Sequence, residues 1–407
     1  MKRAALNQYA LLFLTSIIAF TPFFALRRIL IIGAAFGIWY LTAAFIDKKF
    51  VVKSIPFLAF ITFWGVLSYF IKNDALANSS EFYFSRYIAF SLWTYIWCIV
   101  YVFYADHISL IKKPLYVIVA FFLFSCLLTI RGNIIHPDAS RLLAGLSEED
   151  AALGYELRSM CVGGYDFIYG LVFLVMPVAL CCKYRVKPRF YWRMFLLLVI
   201  VTILFGDFFT GFILALVMFI MANVKASNRS SAFFMSLFLL VLFIFFKDYF
   251  LQLIIRLSDY FGFDSISHRA NQVLLGTYQS DYDLKVNDIS RSERALNAVK
   301  NFFDSPLLGQ LVSRSTPIRE SGHSEFLTYF EKFGLLALSY VWFYWLFFKK
   351  CAGHLKSLVF KRYYFFYAVM IVAFLFLDTF DVANATGLVV FFLAPVLFQI
   401  LDEHHIA

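Results

Sequence analysis

The hydrophobic residues of this chain fall into long continuous runs. Runs of about 17 to 25 residues are long enough to cross a bilayer as helices, because the hydrocarbon layer is roughly 30 Å thick. About twelve such runs recur, near residues 8–26, 29–46, 54–71, 87–105, 114–130, 162–182, 190–206, 208–224, 231–249, 327–348, 363–379 and 384–401. The pattern predicts an all-α polytopic membrane protein with about twelve transmembrane helices.

A closed β-barrel is the other architecture that can span a membrane. Its strands alternate polar and apolar residues, whereas stretches such as FFMSLFLLVLFIFF (residues 233–246) are apolar on every side. The composition agrees with helices, because 62% of the residues are hydrophobic and only 15% are charged. Little of the chain is left for a soluble domain.

Lysine and arginine fall in alternate short loops of this twelve-helix arrangement. Lys48, Lys112, Lys183 and Lys349 each belong to such a loop, and an excess of basic residues marks the cytoplasmic side. Both termini are therefore expected in the cytoplasm. The chain divides into residues 1–249 with nine helices and a long outer loop at 131–161, a large outer loop at 250–322, and residues 323–407 with three helices.

Cysteine placement and the absence of a nucleotide motif exclude other kinds of site. The six cysteines lie in predicted helices, at their ends or in a cytoplasmic loop, so we expect no disulfide and no zinc site. The chain has no GxxxxGK[ST] phosphate-binding loop, which argues against an ATP-driven transporter.

Arginine outnumbers lysine on the predicted outer side, although the positive-inside rule accounts only for cytoplasmic basic residues. The planar guanidinium binds phosphate and pyrophosphate through two hydrogen bonds, so one interpretation is an anionic ligand at the outer face. The alternative is that these arginines pair with acids of the same loop or contact lipid headgroups. Exposed pairs of that kind contribute little to stability.

Arg291 and Arg294 stand out among these arginines. Residues 290–303 have helical character, with Leu296, Val299 and Phe303 on one stripe, and the two arginines lie three apart in the first turn. Ser290 and Glu293 have the spacing of a capping box, so the helix N-terminus would add backbone amides to an anion site. Glu293 could instead neutralise one arginine.

Two linked motifs occur in this region. The first is RSERALNAVKNFFDSPLLG, in which Arg291 precedes the Pro306-x-x-Gly309 element. The second is His323-Ser324, then nine residues, then Gly334-x-x-Ala337. Together they resemble the family of O-antigen ligases and O-antigen or capsule polymerases. The chain departs from the family pattern in having Ala337 for a glycine, Ala295 for a tryptophan, and GDFFTG in place of a Ser-Arg element.

The resemblance implies a metal-independent, lipid-linked glycosyltransferase without a cofactor, at the periplasmic face of the bacterial inner membrane. Its substrates would be glycans on undecaprenyl pyrophosphate. Arg291, helped by Arg294, would hold the pyrophosphate and stabilise the charge that grows there as the glycosidic bond breaks. His323 would accept the proton of the attacking sugar hydroxyl, and Glu325 is a second candidate base.

Further candidate residues lie at other outer positions. Because the family's Ser-Arg element is missing, a second pyrophosphate arginine would come from elsewhere, with Arg131, Arg141 and Arg158 as alternatives. Arg314 and Arg319 are further candidates for pyrophosphate contacts. Asp166 and Tyr169 lie early in the sixth predicted helix, where an ionisable residue suggests a substrate-binding function. The alternative for Asp166 is an interfacial acid bound to Arg158 or to a backbone amide.

Three functions stay open on the sequence alone. A polymerase would join lipid-linked repeat units, and the two sizeable outer loops favour it. A ligase would transfer the finished polymer to lipid A-core. A polysaccharide flippase would bury charges near the bilayer midplane in several helices, and this chain has few there. The expected partners are undecaprenyl-pyrophosphate-linked glycans, membrane lipids, and chain-length regulator and flippase proteins, with no nucleic acid.

Overall fold

The computed structural model of the protein describes residues 2–26, 29–69, 93–136, 139–145, 151–206, 208–224, 247–261, 267, 270–271, 291–309, 324–377 and 384–406. All regular elements within these ranges are helical. Residues 231–246 of the predicted helix at 231–249 and most of the predicted large loop at 250–322 lie outside the described residues, and residues 247–249 begin the helix Lys247–Phe261. The described parts of that loop are two helices and a few single residues.

The described helices are numbered here in chain order. They are α1 Lys2–Ala19, α2 Ile29–Ile46, α3 Lys48–Tyr69, α4 Ile96–Asp106, α5 Ile108–Ile135, α6 Ala139–Gly145, α7 Ala151–Ser159, α8 Tyr165–Lys183, α9 Arg189–Gly206, α10 Phe209–Asn223, α11 Lys247–Phe261, α12 Arg291–Asp304, α13 Glu325–Phe333, α14 Leu338–His354, α15 Leu358–Leu377, α16 Asn384–Leu388 and α17 Ala394–Ile406. A π-helical turn, Val389–Leu393, joins α16 and α17 into one last helix.

Six helices of the described residues are long and apolar enough to cross a membrane. They are Lys48–Val66, Ile108–Ile135, Tyr165–Lys183, Arg189–Gly206, Leu358–Phe376 and Ala385–His405. Three shorter apolar helices are Leu30–Ile46, Ile96–Asp106 and Thr210–Asn223. The prediction of an α-helical, multi-pass membrane protein is confirmed at this level. The number of twelve spans and the side on which each loop lies stay predictions.

The predicted tenth helix, residues 327–348, is not one uninterrupted helix. Helix α13 ends at Phe333, a 3-10 turn follows at Gly334–Ala337, and α14 begins at Leu338. The apolar run continues through this break, so hydropathy alone does not reveal it. Much of the predicted outer loop at 131–161 is helical, because α5 extends to Ile135 and α6 and α7 follow.

Helix α8 and the last helix form the centre of the bundle. In their most apolar windows, 83% and 94% of the residues are buried, against 22% in α3. Helix α8 packs against α9, α10 and both halves of the last helix. Peripheral helices such as α3 and α9 therefore have faces free to contact lipid, whereas α8 and the last helix are surrounded by protein.

Charged side chains satisfy helix ends inside this bundle. The Lys183 ammonium, at the end of α8, donates to the carbonyl oxygens of Ala222, Asn223 and Val224, which end α10, at 2.8 to 3.2 Å. The buried Asp402 carboxylate accepts the N–H of Ser357, directly before α15, at 2.8 Å. Both charges have the sign that the partner helix dipole favours.

A backbone interlock closes the end of α12 against the end of α13. The Leu335 N–H donates to the Pro306 carbonyl at 2.8 Å, and Gly309 and Gly334 both have positive φ, +58° and +57°. A Cβ on Gly309 would lie 2.4 Å from the Lys332 carbonyl, and one on Gly334 would lie 2.4 Å from the Pro306 oxygen. Only glycine fits at either position, for both conformation and space.

The interlock predicts a large effect for Gly334→Ala. The new methyl group would meet backbone atoms that cannot move aside, so we expect about 3 kcal/mol less stability. The matched control is Gly353→Ala in α14, where a Cβ meets nothing within 4 Å and the expected change is a small gain. Thermal unfolding of the detergent-purified protein measures both. Equal melting temperatures for the two variants would contradict the interlock.

Candidate functional site

The structure describes the predicted site residues to different extents. His323, Arg314 and Arg319 lie outside the described residues. Arg291 and Arg294 occupy the first turn of α12, and Glu325 begins α13, but only their backbones are described. Arg131, Arg158, Asp166 and Tyr169 are described in full.

Helix α12 packs on α13 through a buried polar pair. The Asn301 amide donates to the Glu331 carboxylate at 2.9 Å, and both side chains are 0% exposed. Asn297 and Ala298 are buried on the same side of α12. In a helix, residues seven apart lie on nearly the same face, so position 294 belongs to the side of α12 that carries Asn301.

The first turn of α13 is fixed against the end of α15 by Ser324. Its hydroxyl accepts the N–H of Leu327 at 3.3 Å, which caps the helix, and donates to the carbonyl of Leu375 at 3.3 Å. Phe326, buried beside it, contacts Phe376 with ring centroids 5.0 Å apart. The turn that follows His323 and contains Glu325 is therefore attached to the end of α15.

Tyr169 packs against the same end of α15. Its ring centroid lies 4.9 Å from that of Phe374, 4.5 Å from that of Tyr165 and 5.9 Å from that of Phe208. Only 2% of Tyr169 is exposed. Tyr169 therefore packs α8 against α15, and a contact of Tyr169 with substrate stays a prediction. The sequence placed it near the outer end of α8 but could not show that three rings cover it.

Asp166 binds the N-terminus of the last helix. Its carboxylate accepts the N–H of Ala385 at 3.0 Å and that of Thr386 at 2.9 Å, and the Thr386 hydroxyl donates to the Asp166 carbonyl at 2.9 Å. Gly170, one turn later, lets the two helices approach, because a Cβ there would lie 3.3 Å from the Ala385 backbone. The alternative of a backbone-bound acid is therefore what the structure shows. A direct contact of Asp166 with substrate stays a prediction.

Arg131 and Arg158 are exposed on a small helical cap formed by the end of α5, α6 and α7. The Gly163 N–H donates to the Thr129 hydroxyl at 2.9 Å, and Asn133 exchanges hydrogen bonds with Ser140. The cap is thus attached to the start of α8 by specific contacts. Both arginines are exposed at its surface and accessible to a ligand. Among the described contacts, neither arginine forms an ion pair.

Nucleophilic cysteine chemistry has no support at this end of the bundle. Burial raises the pKa of the Cys161 thiol, in the turn between α7 and α8, which disfavours the reactive thiolate. Within the described ranges, no group of three or more His, Cys, Asp and Glu side chains comes together to hold a metal ion.

The described contacts connect the helices that carry the predicted site residues. Helix α12 binds α13, the first turn of α13 binds the end of α15, and the end of α15 packs on Tyr169 of α8. Sequence reasoning missed the Asn301–Glu331 pair in this chain of contacts. A signal was present, because Glu331 falls inside the predicted helix 327–348, where an ionisable residue is unusual.

The chain was also compared with known proteins. No family model, no curated protein and no solved structure matches it.

The Asp166 contacts predict a stability effect that separates its helix-capping role from other roles. We expect Asp166→Ala to cost about 2 kcal/mol, because two buried N–H groups lose a charged acceptor, and Asp166→Asn to cost roughly half of that. Glu156→Gln is the control, since this carboxylate is exposed and 3.7 Å from His136. Thermal unfolding in detergent gives the comparison. An Asp166→Ala protein as stable as the control would refute the capping role.

Proposed function

We propose that the protein polymerises undecaprenyl-pyrophosphate-linked oligosaccharide repeat units into O-antigen or capsular polysaccharide. The reaction takes place at the periplasmic face of the bacterial inner membrane, with both chain termini in the cytoplasm. A hydroxyl oxygen of one lipid-linked repeat unit attacks the anomeric carbon of a second lipid-linked chain. The bond from that carbon to the pyrophosphate oxygen breaks, and undecaprenyl pyrophosphate leaves.

The backbone interlock is the observation that carries this proposal. The two motifs that resemble the polymerase and ligase family are separated in the chain, yet Pro306 of the first contacts Gly334 and Leu335 of the second. Gly309 of the first lies against the backbone of Lys332 and Phe333, directly before Gly334. Helices α12 and α13 both lead into this contact from their N-terminal turns. Those turns contain Arg291 and Arg294 on one helix, and Glu325, next to His323, on the other.

The proposed roles follow from the chemistry of each side chain. Arg291 and Arg294 hold the pyrophosphate and stabilise the charge that develops on it, because a guanidinium binds two phosphate oxygens at once. Arg131, Arg158, Arg314 and Arg319 are the candidates for further phosphate contacts. His323 or Glu325 takes the proton of the attacking hydroxyl. No metal ion and no cofactor takes part in the proposed reaction.

Deleting the gene and separating the cell's surface polysaccharide on a gel tests the proposal. A polymerase defect gives molecules that carry a single repeat unit, because units still reach the periplasm but are not joined. Full-length polymer that accumulates on undecaprenyl pyrophosphate would identify a ligase instead. Repeat units trapped in the cytoplasm would identify a transport defect and overturn both enzymatic functions.

Complementation of the deletion strain with variants tests the residue roles. We expect Arg291→Ala to reduce polymer formation by about 100-fold, since it removes a group that stabilises developing charge. Arg256→Ala is the matched control, because Arg256 is an exposed arginine on α11 of the same predicted loop. His323→Ala and Glu325→Gln distinguish the two candidate bases. Immunoblots of the membrane fraction verify that each variant is present at the normal level.

Normal polymer from Arg291→Ala at normal protein level would remove this arginine from the mechanism. Normal polymer from both His323→Ala and Glu325→Gln would show that neither side chain is needed to accept the proton. A loss caused equally by Arg256→Ala would indicate a general charge effect rather than a specific site.

A further inference from the structure

Helix α12 buries Asn297, Ala298 and Asn301, and its exposed side carries large apolar residues together with Lys300 and Asp304. Asn301 is 0% exposed, whereas Leu296 is 51% and Phe303 70% exposed, and Leu307, just beyond the helix, is 69% exposed. Leu296 and Phe303 lie seven residues apart and so share one face. This is the reverse of a helix that packs its apolar stripe on a protein core.

The exposed residues of α12 adjoin a second exposed apolar stripe. In the interlock, a Cβ on Gly334 would lie 2.5 Å from the Leu307 carbonyl carbon, and Leu335 binds the Pro306 carbonyl. From there an exposed apolar stripe continues along α14, through Leu335, Leu338, Val341, Trp342 and Trp345. In a membrane protein such a stripe faces lipid. Leu307 is thus continuous with a lipid-facing surface.

The length of α14 places this junction at a membrane boundary. The helical segment that begins at Leu335 and continues as α14 is apolar as far as Phe348, roughly 21 Å at about 1.5 Å per residue, and the long side chains of Lys349 and Lys350 extend across the remaining thickness of a hydrocarbon layer of roughly 30 Å. Its far end contains Lys349, Lys350 and His354, which belong at the membrane surface. Leu335 and Leu307 therefore lie where the opposite surface of the bilayer begins.

We propose that α12 is an interfacial helix that lies on the bilayer surface where α14 begins. Leu296, Phe303 and Leu307 insert among the lipid acyl chains, and Asn297 and Asn301 face the protein. Interfacial helices bind lipid in this way, through an apolar face immersed at the boundary of headgroups and acyl chains. This lipid contact is independent of the reaction that the protein catalyses, because it rests only on exposure and position.

Fluorescence quenching in vesicles tests the lipid contact. Four of the six cysteines are buried. The substitutions Cys161→Ser and Cys182→Ser remove the other two, which are partly accessible. In this background, Phe303→Cys and Leu296→Cys each carry an environment-sensitive dye, and the protein is reconstituted into phosphatidylcholine vesicles. Asp304→Cys is the control, because Asp304 is the next residue and is also exposed, but lies on a different face of α12.

Lipids with a nitroxide on the acyl chain should quench the dye at 303 and 296 about twofold more than the dye at 304. Aqueous iodide should show the opposite order. Equal quenching by iodide at 303 and 304 would mean that the stripe faces water. A dye at 303 that neither quencher reaches would mean that protein covers the stripe, from a second copy or another segment. Either result overturns the proposal, and gel filtration of each labelled protein verifies its fold.

Discussion

Backbone groups left without partners at helix ends are the constraint on which this structure depends. Each helix leaves N–H groups at its start and carbonyl groups at its end without partners, and lipid supplies none. Helix α8 meets this need for two other helices. Asp166 in its first turn binds the N–H groups that begin the last helix, and Lys183 at its end binds the carbonyl groups that end α10. Helix α8 is thus joined to the last helix and to α10 by charges whose signs suit the helix dipoles at those ends.

The same contacts of α8 also connect to the candidate site. Asp166 fixes the start of the last helix, and Tyr169, one turn from it, packs on Phe374 at the end of α15. Ser324 then binds the carbonyl of Leu375 and caps α13. Each contact involves a helix end or the last turn of a helix, where backbone direction is otherwise easily changed. Catalytic groups need such support, because small displacements reduce rates strongly.

The sequence predicts helices well where lipid imposes a continuous apolar run. The predicted run 29–46 matches α2, and 190–206 matches α9 within one residue. It fails at Gly334, because the break occurs within an apolar stretch and depends on a backbone contact with Pro306. The sequence periodicity predicts the stripe of Leu296 and Phe303, but it does not identify the surroundings that this face of α12 contacts. The partners of Asp166 and Glu331 lie far away in the chain, so no local pattern could identify them.

The Asn301–Glu331 pair explains how one orientation of α12 is selected. An apolar stripe alone would allow α12 to rotate, because lipid and the apolar residues of α13 are similar surroundings for leucine and phenylalanine. A buried carboxylate is costly unless it is hydrogen-bonded, so Glu331 favours the rotation that brings Asn301 to it. A turn of about 100°, one residue, would move Asn301 away from Glu331 and towards the exposed side. The Asn301–Glu331 contact thus favours one side of α12 for packing on α13, and position 294 belongs to that side.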